Sequence, residues 1–349
     1  MNKLLIVAHS WVGDAVISHS LIQRLKSVHP APRIDVLANP LVAEVYKTMT
    51  EINVVHVSPF GHGELNIIAR RTFAKKIIAP EKYDQAYVLP NSFKSALIPY
   101  FADIRRRIGF LGEQRYIVLN DRRKLDKKHL PLMVERYAFL ANAQTEINKL
   151  PTLRPRFNED EKIKEQTKNK YGISLENPIV CLCPGAEYGP AKQWPKEYFS
   201  TTARDFEERN FTVIILGSKK DESIGKHIEK HGGKNIKNLC GSTSLKEAIS
   251  IIGFSDLVIT NDSGLMHISA AHDTPTIAIF GSSSTAFTPP LSEKATVLTE
   301  TMWCRPCFQR TCPLGHTDCL NKIRPNLVIE KAVALIEKYG THARTKYDD

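Results

Sequence analysis

Apolar residues follow two different spacings along this chain, and the two spacings alternate. Short continuous apolar runs predict β-strands, whereas apolar residues three and four positions apart predict helices. In the first half, the predicted strands are "KLLIVA", "RIDVLA", "VVHVS", "QAYVLP" and "RRIGF". Predicted helices follow the first strand, through Val16, Ile17, Leu21, Leu25 and Val28, and occupy 41–49, 64–78, 93–101 and 132–143. Strands that alternate with helices of about 10 to 15 residues predict βαβ units and a parallel sheet.

The second half of the chain starts the same alternation again. Its predicted strands are "PIVCLCPGA", "FTVIILGS", "DLVIT" and "PTIAIFG", and helical spacing begins at Pro195, Lys219, Ser244 and Gly264. A connector rich in Lys and Glu lies between Leu150 and Asn177, and we place the boundary near Gly172. We therefore expect two α/β domains, 1–172 and 173–349, closed by an amphipathic helix at about 326–340.

The composition is that of a globular protein. The 349 residues are 42% apolar and 24% charged, without the bias of disordered or collagenous chains. No apolar run reaches the roughly 18 residues of a membrane-spanning helix, and "LLIVA" near the N-terminus is too short for a secretory signal. We expect a cytoplasmic protein.

The positive charge of the chain is concentrated in its first half. The net charge is +11, and residues 1–160 hold 24 Lys and Arg against 15 Asp and Glu. This excess favours an anionic partner for the first domain, with candidate contacts at Lys94, Arg105, Arg106, Arg107 and Arg115. A solvated basic surface is the alternative for each cluster, and nucleic-acid binding would rest on charge alone.

The loop "HSWVGDAV" after the first strand is a candidate for chemistry. In parallel sheets, ligands bind at the carboxyl ends of the strands, where loops lead into helix N-termini. Gly13 permits a tight turn, and Asp14 stands at the start of the helix. Asp is also a favoured N-cap, so a purely structural role is the alternative.

Three loops of the second half suit a nucleotide diphosphate. "CPGAEYGPAKQWP" holds Gly185 and a single Lys192 that can bind phosphate, and "LGSKKDES" offers Asp221 or Glu222 to ribose hydroxyls. In "TNDSGLMH", amides after Ser263 would face a phosphate, beside Asp262 and His267. Because GxGxxG, GxxxxGK[ST] and HExxH are all absent from the sequence, dehydrogenase, P-loop and zincin functions are excluded, and group transfer between domains is favoured.

Several segments together resemble glycosyltransferase family 9, the heptosyltransferases, which have the GT-B fold. The resemblance extends from the N-terminus to about Leu291 and is carried by "SWVGDAV", "YVLPNSFKSALIP", "GFLGEQRY", "PLMVERY", "CPGAEYGPAKQWP", "TNDSGLMHISAA" and "FTPPLS". It implies two Rossmann-like domains with parallel sheets that face each other across a cleft. The acceptor would bind the first domain and the nucleotide sugar the second, and the last helix would pack back on the first domain.

The resemblance also implies a reaction. ADP-L-glycero-β-D-manno-heptose would donate heptose, with inversion and without a metal or other cofactor, to the first heptose of the lipopolysaccharide inner core on Kdo-lipid A. The partners would be these two molecules and no nucleic acid, and the enzyme would be a monomer, cytoplasmic or peripheral at the inner membrane. A family 9 transferase with another sugar or acceptor, and a non-catalytic nucleotide or glycolipid binder, remain alternatives.

The same resemblance implies roles for individual residues. Asp14 would be the general base, Gly13 beside it would contact the acceptor, and Lys192 would stabilise the departing diphosphate. Asp262 would orient the heptose hydroxyls, and His267 would lie close behind. The remaining donor contacts would come from Gly185, from Asp221 or Glu222 at the ribose, and from the amides of Ser263, Gly264 and Leu265. The Kdo carboxylates and lipid A phosphates would give the basic first half its purpose.

Four cysteines form a separate cluster, "CRPCFQRTCPLGHTDC". Cys304, Cys307, Cys312 and Cys319, with His316 among them, are compatible with a structural metal site, although the spacing matches no familiar zinc ribbon. A reduced loop and an adventitious disulfide are the alternatives. We interpret Cys181, Cys183 and Cys240 as core residues because their surroundings are apolar.

Overall fold

The chain divides into two compact α/β units, Met1–Pro155 and Arg156–Asp349. The computed structural model describes residues 2–61, 63–142 and 152–340. Ala143, the predicted end of one helix, and Leu150, the predicted start of the connector, lie outside these residues.

The first unit is built on a parallel sheet with six strands among the described residues. Its central strands are buried because they carry aliphatic side chains on both faces; Leu4, Leu5 and Ile6 are fully enclosed. The strands are β1 Lys3–Val7, β2 Arg33–Ala38, β3 Val54–Val57, β4 Gln85–Val88, β5 Arg106–Phe110 and β6 Asp121–Arg123. Their order is β3-β2-β1-β4-β5-β6, with Leu5 opposite Asp35 on one side and Ala86 on the other.

The helices of the first unit are shorter than their sequence patterns predict. They are α1 Val12–Ile17, α2 His19–Val28, α3 Pro40–Lys47, α4 Ile67–Phe73, α5 Leu97–Phe101 and α6 Met133–Phe139. The pattern at 64–78 becomes α4 and a π-helical segment, Ala74–Ile78, because the Asn66 side chain accepts the Ala69 amide and so fixes the start of α4. A 3₁₀ turn, Phe93–Ala96, occupies the first half of the helix predicted at 93–101.

The second unit repeats the architecture of the first. Its strands are β7 Ile179–Cys183, β8 Thr212–Ile215, β9 Ile236–Asn238, β10 Leu257–Asn261, β11 Thr276–Phe280 and β12 Ala295–Thr299. Its helices are α7 Glu161–Tyr171, α8 Lys196–Glu208, α9 Glu222–Gly232, α10 Leu245–Phe254, α11 Gly264–Ala271, α12 Asp318–Asn321 and α13 Pro325–Tyr339. The strand order is β12-β11-β10-β7-β8-β9, all parallel.

Both sheets have the Rossmann strand order. In each sheet, the next two strands are added outward from the first strand, and the direction then reverses, with three strands added on the other side of the first. The reversal lies between β1 and β4 in one sheet and between β7 and β10 in the other. At such a switch point the loops leave in opposite directions and open a crevice at the carboxyl ends of the strands. The fold therefore marks two places where ligands should bind, one in each unit.

The boundary between the units lies earlier than Gly172, where the sequence placed it. Helix α7 belongs to the second unit, since Lys170 Nζ lies 2.6 Å from Glu247 Oε1 and the Tyr171 hydroxyl donates to Glu247 Oε2 over 3.0 Å. The Phe157 amide already donates to the Ala271 carbonyl over 2.8 Å. The charged part of the connector, Glu161–Tyr171, is thus a helix packed on the second unit.

The final helix, α13, packs on α8 and on strands β10 and β11 of the second unit. Val328, Ala332 and Leu335 join its core. That the helix also packs on the first unit stays a prediction. Among the described helices, none combines the length and the apolar character that crossing a membrane requires.

Candidate functional site

Asp14 lies in the first turn of α1, directly after the central strand β1, and is half-buried. The N-cap position belongs to Trp11, so the capping alternative for Asp14 is wrong. The carboxylate instead accepts a hydrogen bond of 2.7 Å from the hydroxyl of Tyr137 on α6. Asp14 is therefore a positioned carboxylate at the switch point of the first sheet.

Tyr137 and His9 complete the surroundings of Asp14. His9 lies in the loop "HSWVGDAV" and Tyr137 in "PLMVERY", but the sequence alone assigns no role to either. Burial raises the pKa of Tyr137 well above its usual value, and the nearby Asp14 carboxylate raises it further, so the phenol stays a donor. Burial lowers the pKa of His9, partly opposed by Asp14. The His9 and Tyr137 rings lie 5.8 Å apart. The hydrogen bond from the buried Tyr137 hydroxyl thus gives the Asp14 carboxylate a defined direction.

A cavity of about 660 Å³ opens at the carboxyl edge of the first sheet. Its wall combines apolar side chains such as Trp11 and Phe93 with polar ones such as His9, Asn39 and Lys94. Lys94 is half-buried there. Among the basic residues singled out from the sequence, Lys94 is thus well placed to meet an anionic ligand in this unit.

Arg115 does not have the position that its predicted role requires. Its side chain is fully buried, and its guanidinium donates to the carbonyls of Pro90 and Phe110 and to the Asn91 side chain. Burial lowers the pKa of Arg115 to about 10. Arg115 holds the loop after β4 in place and is not exposed to contact an acceptor.

Arg105, Arg106 and Arg107 lie at the wrong end of the sheet for the same role. They lie at the start of β5. Arg106 is opposite Gln85 of β4, and Gln85 is opposite Leu4, near the amino end of β1. Arg106 Nη2 also pairs with Asp121 Oδ2 at 2.7 Å. Because Asp14 follows the carboxyl end of β1, these arginines are on the opposite edge and do not share its crevice.

The second unit holds an ion pair at its own switch point. Lys192 follows β7 and Asp262 follows β10, and Lys192 Nζ lies 2.5 Å from Asp262 Oδ2. The two side chains are only 15% and 4% exposed, and the Ser283 hydroxyl also donates to Asp262. The ammonium lies 4.9 Å from the centre of the Tyr188 ring. A cation is thus fixed at this edge of the sheet, and the sequence missed Ser283.

Helix α11 begins directly beside this ion pair. Ser263 is its N-cap residue, in an extended conformation and without a side-chain cap bond, and Gly264 and Leu265 start the helix. First-turn amides have no partner within a helix and carry partial positive charge. His267 is buried in the same helix. Lysine and helix amides together form a setting suited to a diphosphate.

Asp221 and Glu222 have different environments. Asp221 accepts hydrogen bonds from the amide and hydroxyl of Ser218, and a Cβ on Gly185 would lie 2.5 Å from Asp221 Oδ2. Glu222 pairs with Lys226 one turn later on α9, at the surface. Of these two carboxylates, that of Asp221 lies next to Gly185 in the loop after β7.

Gly281 allows two backbone segments to approach each other beside Lys192. An added Cβ would lie 2.5 Å from the Ala191 carbonyl oxygen, and the next amide, Ser282, donates to the same oxygen over 3.1 Å. We expect Gly281→Ala to cost about 1–3 kcal/mol through overpacking, visible as a lower Tm in thermal unfolding. Gly61→Ala, which meets only the flexible end of Glu64, is the control. Equal unfolding temperatures for the two variants would contradict the close approach.

The four clustered cysteines line a small cavity of about 30 Å³ together with His316. All four are free thiols, and no group of three or more His, Cys, Asp or Glu within 2–61, 63–142 and 152–340 is arranged to hold a metal ion. The structural metal site therefore stays a prediction, with the reduced loop and the disulfide as its alternatives. Backbone amides, first that of Thr317, lower the pKa of Cys312, whereas burial raises that of Cys319.

Comparison with known proteins shows the family to which the chain is related. Residues 70–318 match the model of glycosyltransferase family 9 (heptosyltransferase). The chain is 39% identical to lipopolysaccharide heptosyltransferase 2 of Salmonella typhimurium, covering 97% of this chain and 99% of the relative. It is 39% identical to the protein of the same name from Escherichia coli K12, covering 96% and 98%.

A solved structure gives the same result for the fold. The structure of E. coli ADP-heptose lps heptosyltransferase II superposes with a TM-score of 0.87 at 38% identity, over 96% of this chain and 99% of that one. The two Rossmann-like units are thus those of a GT-B glycosyltransferase. With a family match over more than half its length and relatives similar from end to end, this chain belongs to glycosyltransferase family 9, the heptosyltransferases.

Proposed function

We propose that this enzyme transfers heptose from ADP-heptose to the lipopolysaccharide inner core, as a heptosyltransferase 2. The observation that carries the proposal is the Lys192–Asp262 pair at the start of α11, in a chain similar over its whole length to enzymes of that name. Its acceptor is the first heptose on Kdo-lipid A, and its donor is ADP-L-glycero-β-D-manno-heptose.

The donor half of the reaction belongs to the second unit. Lys192 and the amides of Ser263, Gly264 and Leu265 bind the diphosphate, while Asp262 accepts hydrogen bonds from heptose hydroxyls. His267 supports the same helix turn. Asp221 or Glu222 contacts the ribose, and the position of Asp221 beside Gly185 favours the former. The lysine and the helix amides supply positive charge, so transfer needs no metal ion.

The acceptor half belongs to the first unit, where Asp14 acts as the general base. The carboxylate takes the proton of the acceptor hydroxyl as its oxygen forms a bond to the anomeric carbon of the donor. On the opposite face, the bond from that carbon to the diphosphate oxygen breaks, and its electron pair leaves with ADP. Attack from the opposite face inverts the anomeric centre. Tyr137 keeps the carboxylate oriented, and Gly13 contacts the acceptor.

The acceptor also determines one further contact and the place where the enzyme works. Lys94, in the cavity beside the β1 loop, meets an anionic group of the acceptor. Because that acceptor is anchored by lipid A, the enzyme works at the cytoplasmic face of the inner membrane, bound peripherally. We expect it to be a monomer there.

A product assay tests this function. Purified enzyme is incubated with ADP-heptose and a panel of truncated lipopolysaccharides, with and without EDTA, and the products are weighed by mass spectrometry. We expect one added heptose on the acceptor that ends in a single heptose, at equal rates with the chelator. Binding of ADP without any transfer would show a non-catalytic binder, and transfer to another acceptor would show a different specificity.

A further inference from the structure

Residues 303–319, here called the cysteine loop, contact both sides of the candidate donor site. Trp303, in the loop, is 86% exposed, yet the backbone of the loop lies against the two segments that carry Lys192 and Ser283. The segments are 188–192, after β7, and 281–283, after β11. The backbone of the cysteine loop therefore lies beside the candidate donor site. Neither the four thiols nor the proposed reaction accounts for these contacts.

The first set of contacts is with the Lys192 segment. The Ala191 amide donates to the Arg310 carbonyl over 3.0 Å, and the Tyr188 hydroxyl donates to the Phe308 carbonyl over 2.6 Å. Gly189 has a φ of +150°, and a Cβ there would meet the Arg310 carbonyl oxygen at 2.5 Å. The residue just before Lys192 is thus held by the backbone of the cysteine loop.

The second set of contacts is with the Ser283 segment. The Phe308 amide donates to the Ser282 carbonyl over 2.8 Å. The Arg305 guanidinium reaches further: Nε donates to the Gly281 carbonyl over 2.7 Å and Nη2 to the Ser283 carbonyl over 3.1 Å. One planar side chain therefore fixes the two carbonyls that flank Ser282.

We propose that Arg305 is a positioning residue for the donor site and acts through Ser283 on Asp262. The carbonyl of Ser283 accepts from Arg305 while its hydroxyl donates to Asp262, which pairs with Lys192. A guanidinium has the paired donors that two neighbouring carbonyls need, and a lysine ammonium can serve them only as a point charge. Arg305 itself touches neither Asp262 nor Lys192 in any described contact.

This inference rests on the proposed function, because it assigns the Lys192–Asp262 pair to donor binding. The proposed effect of Arg305 is on the positions of the groups that bind the donor. A shift of about 1 Å in a group that holds the substrate can reduce turnover about 10²-fold without unfolding the protein. Loss of the Arg305 contacts releases the Ser283 segment and therefore the direction of the Asp262 carboxylate.

The test is a double-mutant cycle on the full-length enzyme. Arg305→Gln, Ser283→Ala and their combination are compared with wild type for kcat, KM for ADP-heptose, ADP affinity by calorimetry, and Tm. We expect Arg305→Gln to lower kcat/KM about 10- to 100-fold with only a small change in Tm. Arg305→Lys should lie between Arg305→Gln and wild type. If Arg305 acts through Ser283, the double variant is no worse than the poorer single variant.

A matched control comes from the same unit. Arg204 donates to the His231 carbonyl on a surface away from these segments, so Arg204→Gln should retain wild-type kinetics. Wild-type kcat/KM in Arg305→Gln, or losses that multiply in the double variant, would overturn the inference. If Arg305→Gln does not fold, Arg305→Lys with Ser283→Ala gives the same cycle. If wild type neither binds ADP nor transfers heptose, the proposed function fails instead.

Discussion

Asp14→Asn is expected to fold normally and to lose about 10²- to 10⁴-fold in kcat, the usual contribution of a positioned general base. The amide has nearly the same shape as the carboxylate, and its oxygen can still accept from Tyr137. It cannot take a proton from the acceptor hydroxyl. The loss should therefore appear in kcat, with ADP affinity by calorimetry unchanged because the nucleotide belongs to the other unit.

Two further variants separate catalysis from simple packing around Asp14. Asp103→Asn removes an exposed carboxylate of the same unit that pairs with Lys75, and should leave kcat unchanged. Tyr137→Phe keeps the base but removes its hydrogen bond, so it should lose less activity than Asp14→Asn. Near-normal turnover in Asp14→Asn would remove Asp14 from the mechanism.

Lys192→Met is expected to lose about 10²- to 10³-fold in kcat, because it removes a fixed positive charge where the departing diphosphate gains negative charge. It should also destabilise the second unit. Removing one partner of a buried ion pair costs about 3–5 kcal/mol, and Asp262 would keep only the Ser283 hydroxyl. The measurements are steady-state kinetics with ADP-heptose and thermal unfolding.

A second substitution distinguishes these two effects of Lys192→Met. Adding Asp262→Asn makes the pair neutral, so the double variant should regain stability while its transfer stays below that of Asp262→Asn alone. Lys220→Met is the matched control, since Lys220 pairs with Glu187 at the surface of the same unit. Recovery of activity together with stability would show that Lys192 serves the fold and not the reaction.

The sequence predicted those parts of the fold that follow from apolar spacing. The first-unit strands β1 to β5 and the second-unit strands β7, β8, β10 and β11 are confirmed. Strands β6 and β9 were missed because Asp121, Arg122 and Arg123, and then Ile236, Lys237 and Asn238, have no apolar run. Strand β12, Ala295–Thr299, was missed although three of its residues are apolar, because threonines interrupt them and leave no continuous apolar run. Edge strands form through backbone pairing with a neighbour, which a local pattern does not show.

A site residue could be predicted from the sequence only where it lies in a loop that directly follows a predicted strand. Lys192, Asp262 and the start of α11 stand at strand ends that the sequence already marked, and the structure brings them together. Tyr137 reaches Asp14 from 123 positions away, and Ser283 reaches Asp262 from 21, so only the folded chain pairs them. The prediction for Arg115 was wrong because the burial of its guanidinium among backbone carbonyls cannot be read from the sequence around it.

The junction around Lys192 is made largely of main-chain amides and carbonyls, at Ala191, Ser282, Phe308 and Arg310. Nearly all residue types have the same main-chain amide and carbonyl, so these bonds depend on the path of the backbone more than on residue identity. The side chains of these four residues take no part in these bonds, whereas inserting or deleting one residue between 305 and 310 would shift the bonding groups of Phe308 and Arg310 away from their partners. Spacing, more than identity, is what a redesign of this segment has to preserve.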